Sequence, residues 1–302
     1  MIIDFRYHIA SLVAVFLALS LGILIGGAAL GNNTLQEQLK QIDQQLAKMH
    51  DDQKVLEKAI SDRDNELRTY DRFSKAVAPT LVRDRLIGKR VALVRTNPNV
   101  DQAVARDLAA LFKTAGAQVM STTTILRNPM ELPLDKLTSL GAKLGISGPD
   151  AAAYAREILK LLAERIANGP AFDSQSGAGP LTSLSGNHLI EISGDYKGMV
   201  DAVILIGGSR DQNIDNSKQV DGVFLDAITF TSELQVAAVE PMDVAKSYLS
   251  EYLKHPTIIV VDNANTGPGQ LALVLALQQG KKGHYGVKNA KQLMPDLSAA
   301  LP

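Results

Sequence analysis

IASLVAVFLALSLGILIGGAAL, residues Ile9 to Leu30, contains no charged residue, and the rest of the chain must be placed relative to it. A helix of this length, at about 1.5 Å per residue, extends roughly 33 Å, and the hydrocarbon core of a bilayer is about 30 Å thick. Only Ser11 and Ser20 are polar, so the stretch lacks the polar stripe of a helix on a soluble domain. It predicts a transmembrane helix over residues 9–30.

A cleaved secretory signal is the alternative interpretation of the same stretch. Such a signal has an apolar region of about 7–15 residues that follows a basic segment and precedes a small-residue cleavage site. Here the apolar region is longer, and Arg6 is the one basic residue before it, close to the acidic Asp4. Gly27, Ala28 and Ala29 are small enough to suit a peptidase. Both interpretations send the rest of the chain across a membrane.

The charges that flank the stretch favour one orientation. Arg6 lies on the N-terminal side, whereas the first basic residue on the other side is Lys40. Basic residues close to a span favour the cytoplasm. We therefore predict a single-pass membrane protein, with residues 1–8 in the cytoplasm and the body of the protein outside it.

Small residues recur at every fourth position of the predicted span. They are Ala10, Ala14, Ala18, Gly22 and Gly26. In lipid, such a row lets two helix backbones approach closely and pack. The row predicts self-association through this face, although small residues are common in membrane helices and chance register is the alternative.

Composition limits the classes of function. The chain has 302 residues, a net charge of −1, no cysteine and no tryptophan. The charge excludes an electrostatic footprint for nucleic acid, and the lack of cysteine excludes disulfides, thiol nucleophiles and thiolate metal sites. The length is sufficient for a membrane anchor, a rod and one or two folded domains.

Residues 33–78 show a heptad pattern with Leu39 as the first a position. Its apolar a and d positions include Leu39, Ile42, Leu46, Met49, Leu56, Ile60 and Leu67. This spacing is typical of a parallel coiled coil, and Pro79 is expected to end the helix. An amphipathic helix lying on its own globular domain is the alternative. Together with the small-residue row, the pattern predicts a homodimer, with the number of strands in the coil left open.

Residues 88–302 predict a globular α/β domain. Arg90–Arg95 (RVALVR) and Ala117–Thr122 are predicted strands on either side of a helix at Val100–Ala115, which makes a βαβ unit. Further strands are expected at 201–206, 236–240 and 257–261, helices at 134–144, 151–168, 223–232, 244–254 and 270–279, and a loop at 169–186. The predicted fold class is therefore α/β: an N-terminal transmembrane helix, a coiled-coil helix, then a mostly parallel, Rossmann-like, three-layer domain.

Ligands of such sheets bind beyond the carboxyl ends of the strands. A candidate ligand site at those ends comprises Gly207, Gly208, Ser209, Glu240 and Asp262. The Gly-Gly-Ser segment could direct backbone N–H groups toward an anion, and a plain tight turn is the alternative. The five histidines have no paired spacing and the methionines do not cluster, so we predict no catalytic residue, no metal ligand and no cofactor.

Both ends of the chain resemble one known family. Phe5-Arg6-Tyr7-His8 leads directly into SLVAVFLALSLGILIG, and Gly283-His284-Tyr285-Gly286 is followed by Leu293-Met294-Pro295. These segments, and the order of span, coiled coil and α/β domain, are similar to those of the MctB-type copper transporter family. The resemblance implies copper efflux or homeostasis in the bacterial envelope, with copper as the ligand. The related actinobacterial SteB proteins are implicated in cell division.

The sequence thus predicts a single-pass, self-associating envelope protein, not an enzyme. Its stalk would present the α/β domain for assembly or interaction with a protein partner that the sequence does not identify, with cell division as one setting. Copper efflux or homeostasis is the alternative that the resemblance implies. An extracytoplasmic enzyme is a third hypothesis, and it depends on the residues at the strand ends alone.

Overall fold

A computed structural model describes residues 5–169, 179–229 and 233–296. The chain divides into two compact units, Met1–Arg68 and Thr69–Pro302. Parts of three predicted segments lie outside the described residues: the start of the N-terminal segment 1–8, half of the loop 169–186 and the end of the helix 223–232.

The first unit is helical throughout its described residues. It is the larger part of α1, which runs without interruption over Phe5–Val82, 78 residues. Within α1, Tyr7–Gly27 is long and apolar enough to cross a membrane, and none of the residues in its most apolar window is buried. Among the described residues it is the one helix that meets this test by length and composition. The described part of the chain therefore has a single candidate membrane span, close to the N-terminus.

The prediction that Pro79 ends the helix is wrong, because α1 continues through it to Val82. The helix is held beyond the proline by its own domain: Ala78 and Val82 are buried in the second unit. Ser74 and Val77, which continue the predicted heptads, are half-buried there. A Cβ at Gly267 would overlap the Ser74 backbone. The last turns of α1 therefore pack on the α/β domain.

The core of the second unit is a seven-stranded sheet built from residues that the structure describes. Its strands are β1 (Arg90–Arg95), β2 (Gln118–Ile125), β3 (Ile190–Gly194), β4 (Ala202–Ile206), β5 (Gln235–Val239), β6 (Ile259–Val261) and β7 (Gly283–Tyr285). The order across the sheet is β3-β2-β1-β4-β5-β6-β7. Only the edge strand β3 runs antiparallel to its neighbour. The predicted, mostly parallel sheet is confirmed.

Helices cover both faces of the sheet. They are α2 (Gln102–Thr114), α3 (Leu134–Leu144), α4 (Ala151–Asn168), α5 (Gly179–Gly186), α6 (Val223–Ile228), α7 (Leu249–Tyr252) and α8 (Gly267–Gln279). Alternate residues of a strand enter opposite cores: Leu93 lies with α2 and α8, and Val94 with α4 and α6. The continuous apolar strands are thus buried on both faces, as a three-layer α/β domain requires.

Three details of the predicted elements differ from the structure. Helix α5 occupies the end of the segment predicted as a loop, and α7 is much shorter than the predicted helix 244–254. Strands β3 and β7 were not predicted. Both lie at sheet edges, where β3 is mostly exposed and β7 is three residues long. Such short edge strands carry little of the apolar pattern by which buried strands are recognised.

Candidate functional site

The strand order locates a crevice at the carboxyl edge of the sheet. From β1 the chain moves outward to β2, and from β4 it moves in the opposite direction to β5. The loops that follow β1 and β4 therefore separate at this point, which is where open α/β sheets bind ligands.

A cleft of about 310 Å³ opens between these loops. Carboxamide side chains dominate its lining: Asn97, Asn99, Asn128, Asn213, Asn216 and Gln219. Asn128 Nδ2 donates to Gln219 Oε1 at 2.7 Å and to Asn216 Oδ1 at 3.4 Å. Sequence reasoning missed most of this cleft, because its asparagines come from three loops that are distant in the chain.

The predicted Gly207-Gly208-Ser209 segment contacts Asn97, which lines the cleft, and is held from both sides. Asn97 Nδ2 donates to the Gly208 carbonyl oxygen at 2.9 Å. Ser209 pairs through its backbone with Lys246, each N–H donating to the other carbonyl at 2.9 Å. These contacts fix the turn after β4.

Gly207 is required by a buried polar cluster beneath it. Tyr252 Oη donates to Asp221 Oδ2 at 2.5 Å, and Thr96 Oγ1 donates to the same oxygen at 3.1 Å. A Cβ at Gly207 would overlap the Tyr252 hydroxyl. Asp221 is fully buried, and burial raises its pKa to about 7, although the two hydroxyl donors oppose that change. Burial and the nearby Asp221 carboxyl likewise raise the pKa of Tyr252.

Glu240, the predicted site residue that follows β5, is buried and bound by three donors. Lys288 Nζ donates to Oε1 at 2.7 Å, as does Ser247 Oγ at 2.7 Å. The backbone N–H of Tyr248 donates to Oε2 at 2.8 Å. The carboxylate therefore ties the segment after β7 and the segment before α7 to the sheet.

Asp262, the predicted site residue that follows β6, is enclosed by the chain around β7. Its Oδ2 lies 2.7 Å from His284 Nε2, and the backbone N–H groups of Val287 and Lys288 donate to Oδ1 and Oδ2 at 2.7 and 2.9 Å. Gly286 has φ +135°, and a Cβ there would overlap Asp262. His284 is thus a partner of Asp262 that sequence reasoning did not assign. The glycines beside His284 were the available signal, since they permit this close approach.

The five predicted site residues thus lie along one edge of the sheet, but they divide into two groups. Gly207, Gly208 and Ser209 form the turn that Asn97 of the cleft binds, whereas Glu240 and Asp262 form a buried network with Lys288 and His284. Buried carboxylates with this many donors hold loops in place. Among the contacts of the described residues, Ser247 Oγ is the hydroxyl that lies beside Glu240, and no hydroxyl or thiol donates to Asp262.

Comparison with known proteins identifies the family to which the chain belongs. Residues 2–295 match the family model described as "Copper transport outer membrane protein, MctB". The chain belongs to the MctB family. Proteins called "Copper transporter MctB" from Mycobacterium bovis and from two strains of Mycobacterium tuberculosis are 25% identical to it over 310 residues, which cover 94% of this chain and 96% of each relative. The family resemblance of the two chain ends is confirmed.

Within this MctB family member, the tail motif has a structural explanation. Gly283-His284-Tyr285-Gly286 forms β7 and the turn that encloses Asp262. For a copper transporter, copper is the transported substrate and not a resident cofactor. Among residues 5–169, 179–229 and 233–296, no group of three or more His, Asp and Glu side chains lies together in a way that could hold a metal ion. A copper ligand set is therefore not assigned to the described residues.

Proposed function

We propose that the chain is a single-pass, self-associating envelope protein that presents its α/β domain on a coiled-coil stalk, outside the cytoplasm, for assembly or interaction. In this proposal the N-terminus lies in the cytoplasm, the protein catalyses no reaction and copper is not a resident cofactor. The observation that carries it is an uncovered apolar seam along α1.

The seam residues are strongly exposed in the single chain. Leu39, Ile42, Leu46, Met49, Leu56, Ile60 and Leu67 have exposed fractions of 50–67%. Burial of a large aliphatic side chain stabilises by about 1.5–3 kcal/mol. A monomer, which keeps the seam side chains exposed, does not gain this free energy. A second copy of α1 offers the same spacing, and heptad-spaced helices bury such a seam against each other.

The candidate span also supports pairing with a second copy of the chain. Its small-residue row, which includes Ala14, Ala18, Gly22 and Gly26, belongs to the same continuous helix as the seam. A Cβ at Gly22 or Gly26 would meet nothing within 4 Å in the single chain. Gly22→Ile and Gly26→Ile are therefore not expected to disturb the isolated chain, and a weaker association of the span would report on contact between two copies.

The absence of natural cysteine allows a direct test of the seam by cross-linking. Leu46→Cys stands at an a position, and Asp51→Cys stands at an outward f position as the matched control. In membranes under oxidation, the first variant should form a disulfide dimer and the second should not, because only a and d positions of paired helices face each other. Equal cross-linking of both variants, or of neither, would contradict the coiled coil.

Copper homeostasis is the second candidate function, and the name "Copper transporter MctB" of the relatives favours it. Titration calorimetry of the purified full chain with Cu(I) and with Cu(II) tests it. Stoichiometric, submicromolar binding would favour copper handling, whereas no detectable binding would favour the assembly role.

A role in cell division, which SteB proteins suggest, requires a protein partner. Affinity purification of the membrane-bound protein from its native host would look for that partner.

A further inference from the structure

A second cavity, separate from the asparagine-lined cleft described above, lies between α2 and the strands β2 and β3. Its volume is about 240 Å³. The polar side chains that line it include Arg95, Arg106, Thr122, Thr124, Glu191 and Ser193. The cavity thus contains two cations, one carboxylate and three hydroxyl groups, and its formal charge is positive.

Arg95 is the unusual member of this set. It is the last residue of β1 and is only 7% exposed. Nη2 donates to the carbonyl oxygens of Val100 and Pro98 at 2.8 and 3.4 Å, and Nη1 donates to Thr124 Oγ1 at 3.4 Å. Nε is buried and has no acceptor among the described residues. The acceptors that this guanidinium does have there are all uncharged oxygens.

A buried cation without a paired anion is costly. Burial lowers the pKa of the Arg95 guanidinium, and the negative charges of Glu191 and Asp101 oppose that change. Among the described residues neither carboxylate forms an ion pair with Arg95. The Asp101 carboxylate pairs instead with Arg210 at 2.9 Å. A guanidinium offers five N–H donors, so Arg95 retains unused donors beside the cavity.

Arg106 supplies a second cation on the wall formed by α2. Its side chain is exposed, so it can move toward a group that enters the cavity. Thr122 and Thr124 add hydroxyl donors from β2. Arginines and hydroxyls together form the donor set that binds carboxylate and phosphate oxygens.

We propose that this cavity, which we call the Arg95 cavity, binds the anionic group of a small ligand, a carboxylate or a phosphate. Arg95 and Arg106 contact the anionic oxygens, and Thr122 and Thr124 donate to them. Glu191, on the wall formed by β3, repels the ligand and sets how weakly it is held. This site lies outside the functions argued above and does not depend on them.

Inorganic phosphate and acetate are the probes, titrated into the full chain in detergent micelles at constant ionic strength. Arg106→Gln should weaken binding by about tenfold or more, since a hydrogen bond to a charged group is worth that much. Glu191→Gln should strengthen it, because it removes a like charge beside the ligand. Arg156→Gln and Glu164→Gln make the same charge changes on α4, away from the cavity, and should leave affinity unchanged.

The two probes distinguish the sources of the anion. Saturable binding of phosphate that acetate does not displace assigns a phosphate ligand, and the reverse assigns a carboxylate; mutual displacement supports a site for either group. Near-ultraviolet circular dichroism confirms that each variant is folded. The proposal is overturned if neither probe binds saturably, or if the Arg106 and Glu191 variants behave like the two α4 controls.

Discussion

Replacing Asp221 by asparagine should remove a fall in stability that the α/β domain undergoes as the pH rises. Asp221 is fully buried, and its Oδ1 has no hydrogen-bond partner among the described residues. Burial raises its pKa from 3.8 to about 7. The folded protein therefore holds a proton on Asp221 at a pH where the unfolded chain has released it.

The sign follows from proton linkage. A group with a raised pKa in the folded state contributes its full stability below its unfolded pKa, and loses it as the pH rises through the folded pKa. The interval from 3.8 to about 7 covers roughly three pH units, at about 1.4 kcal/mol each. Stability should decrease by roughly 4 kcal/mol between about pH 4 and pH 7 and change little above that.

Other carboxyls act in a different pH range. A hydrogen bond from the Ala103 backbone N–H lowers the pKa of Asp101. For Asp201, partial burial raises the pKa but hydrogen bonds from Arg90 outweigh it. Groups with lowered pKa lose their contribution as the pH falls below about 4, so the effect of Asp221 is isolated above that value.

Thermal unfolding of the full chain in detergent, followed by near-ultraviolet circular dichroism of the buried tyrosines, is the assay. The wild-type transition temperature should fall as the pH is raised from about 4.5 to 7.5, whereas that of Asp221→Asn should stay nearly level and exceed it at the upper end. If the variant shows the same slope as the wild type, Asp221 does not carry a proton in the folded state and the reasoning is refuted.

Three further outcomes are expected. Asp262→Ala should lower the free energy of unfolding by roughly 3–5 kcal/mol, because it leaves two backbone N–H groups and an imidazole without their acceptor; a loss below about 1 kcal/mol in thermal unfolding would contradict that role. A parallel dimer would place the Asp52 carboxylate of one copy near the Glu57 carboxylate of the other, and the two would repel. Because salt screens this repulsion, sedimentation equilibrium of the full chain in detergent should show tighter association in about 0.5 M salt than at low salt. Weaker association at high salt would exclude parallel pairing. In intact cells, a membrane-impermeant maleimide should label Asp51→Cys, and labelling only after lysis would reverse the predicted orientation.

Patterns that repeat along the chain could be read from the sequence. The uncharged run from Ile9 to Leu30 predicts a span because a bilayer requires about twenty apolar residues in one helix. The runs RVALVR and VILI predict buried strands, and the structure places them as neighbours in the centre of the sheet. In each case the residues that carry the signal are consecutive or regularly spaced.

The chemistry of the sheet edge could not be read in this way. The sequence predicted that Glu240 and Asp262 follow strands, but not that Lys288 would bind Glu240 or that His284 would lie 2.7 Å from Asp262. Those partners lie 48 and 22 residues away and are brought together by the pairing of β6 with β7.

Local spacing of apolar side chains is enough to predict the apolar span, the heptad pattern and the α/β character of the domain. Packing of the layers, in contrast, carries α1 past Pro79, buries Asp221 against Tyr252, and buries Arg95 with no anionic partner among the described residues. The free energy of those groups depends on which distant residues surround them, and that is set when the layers pack.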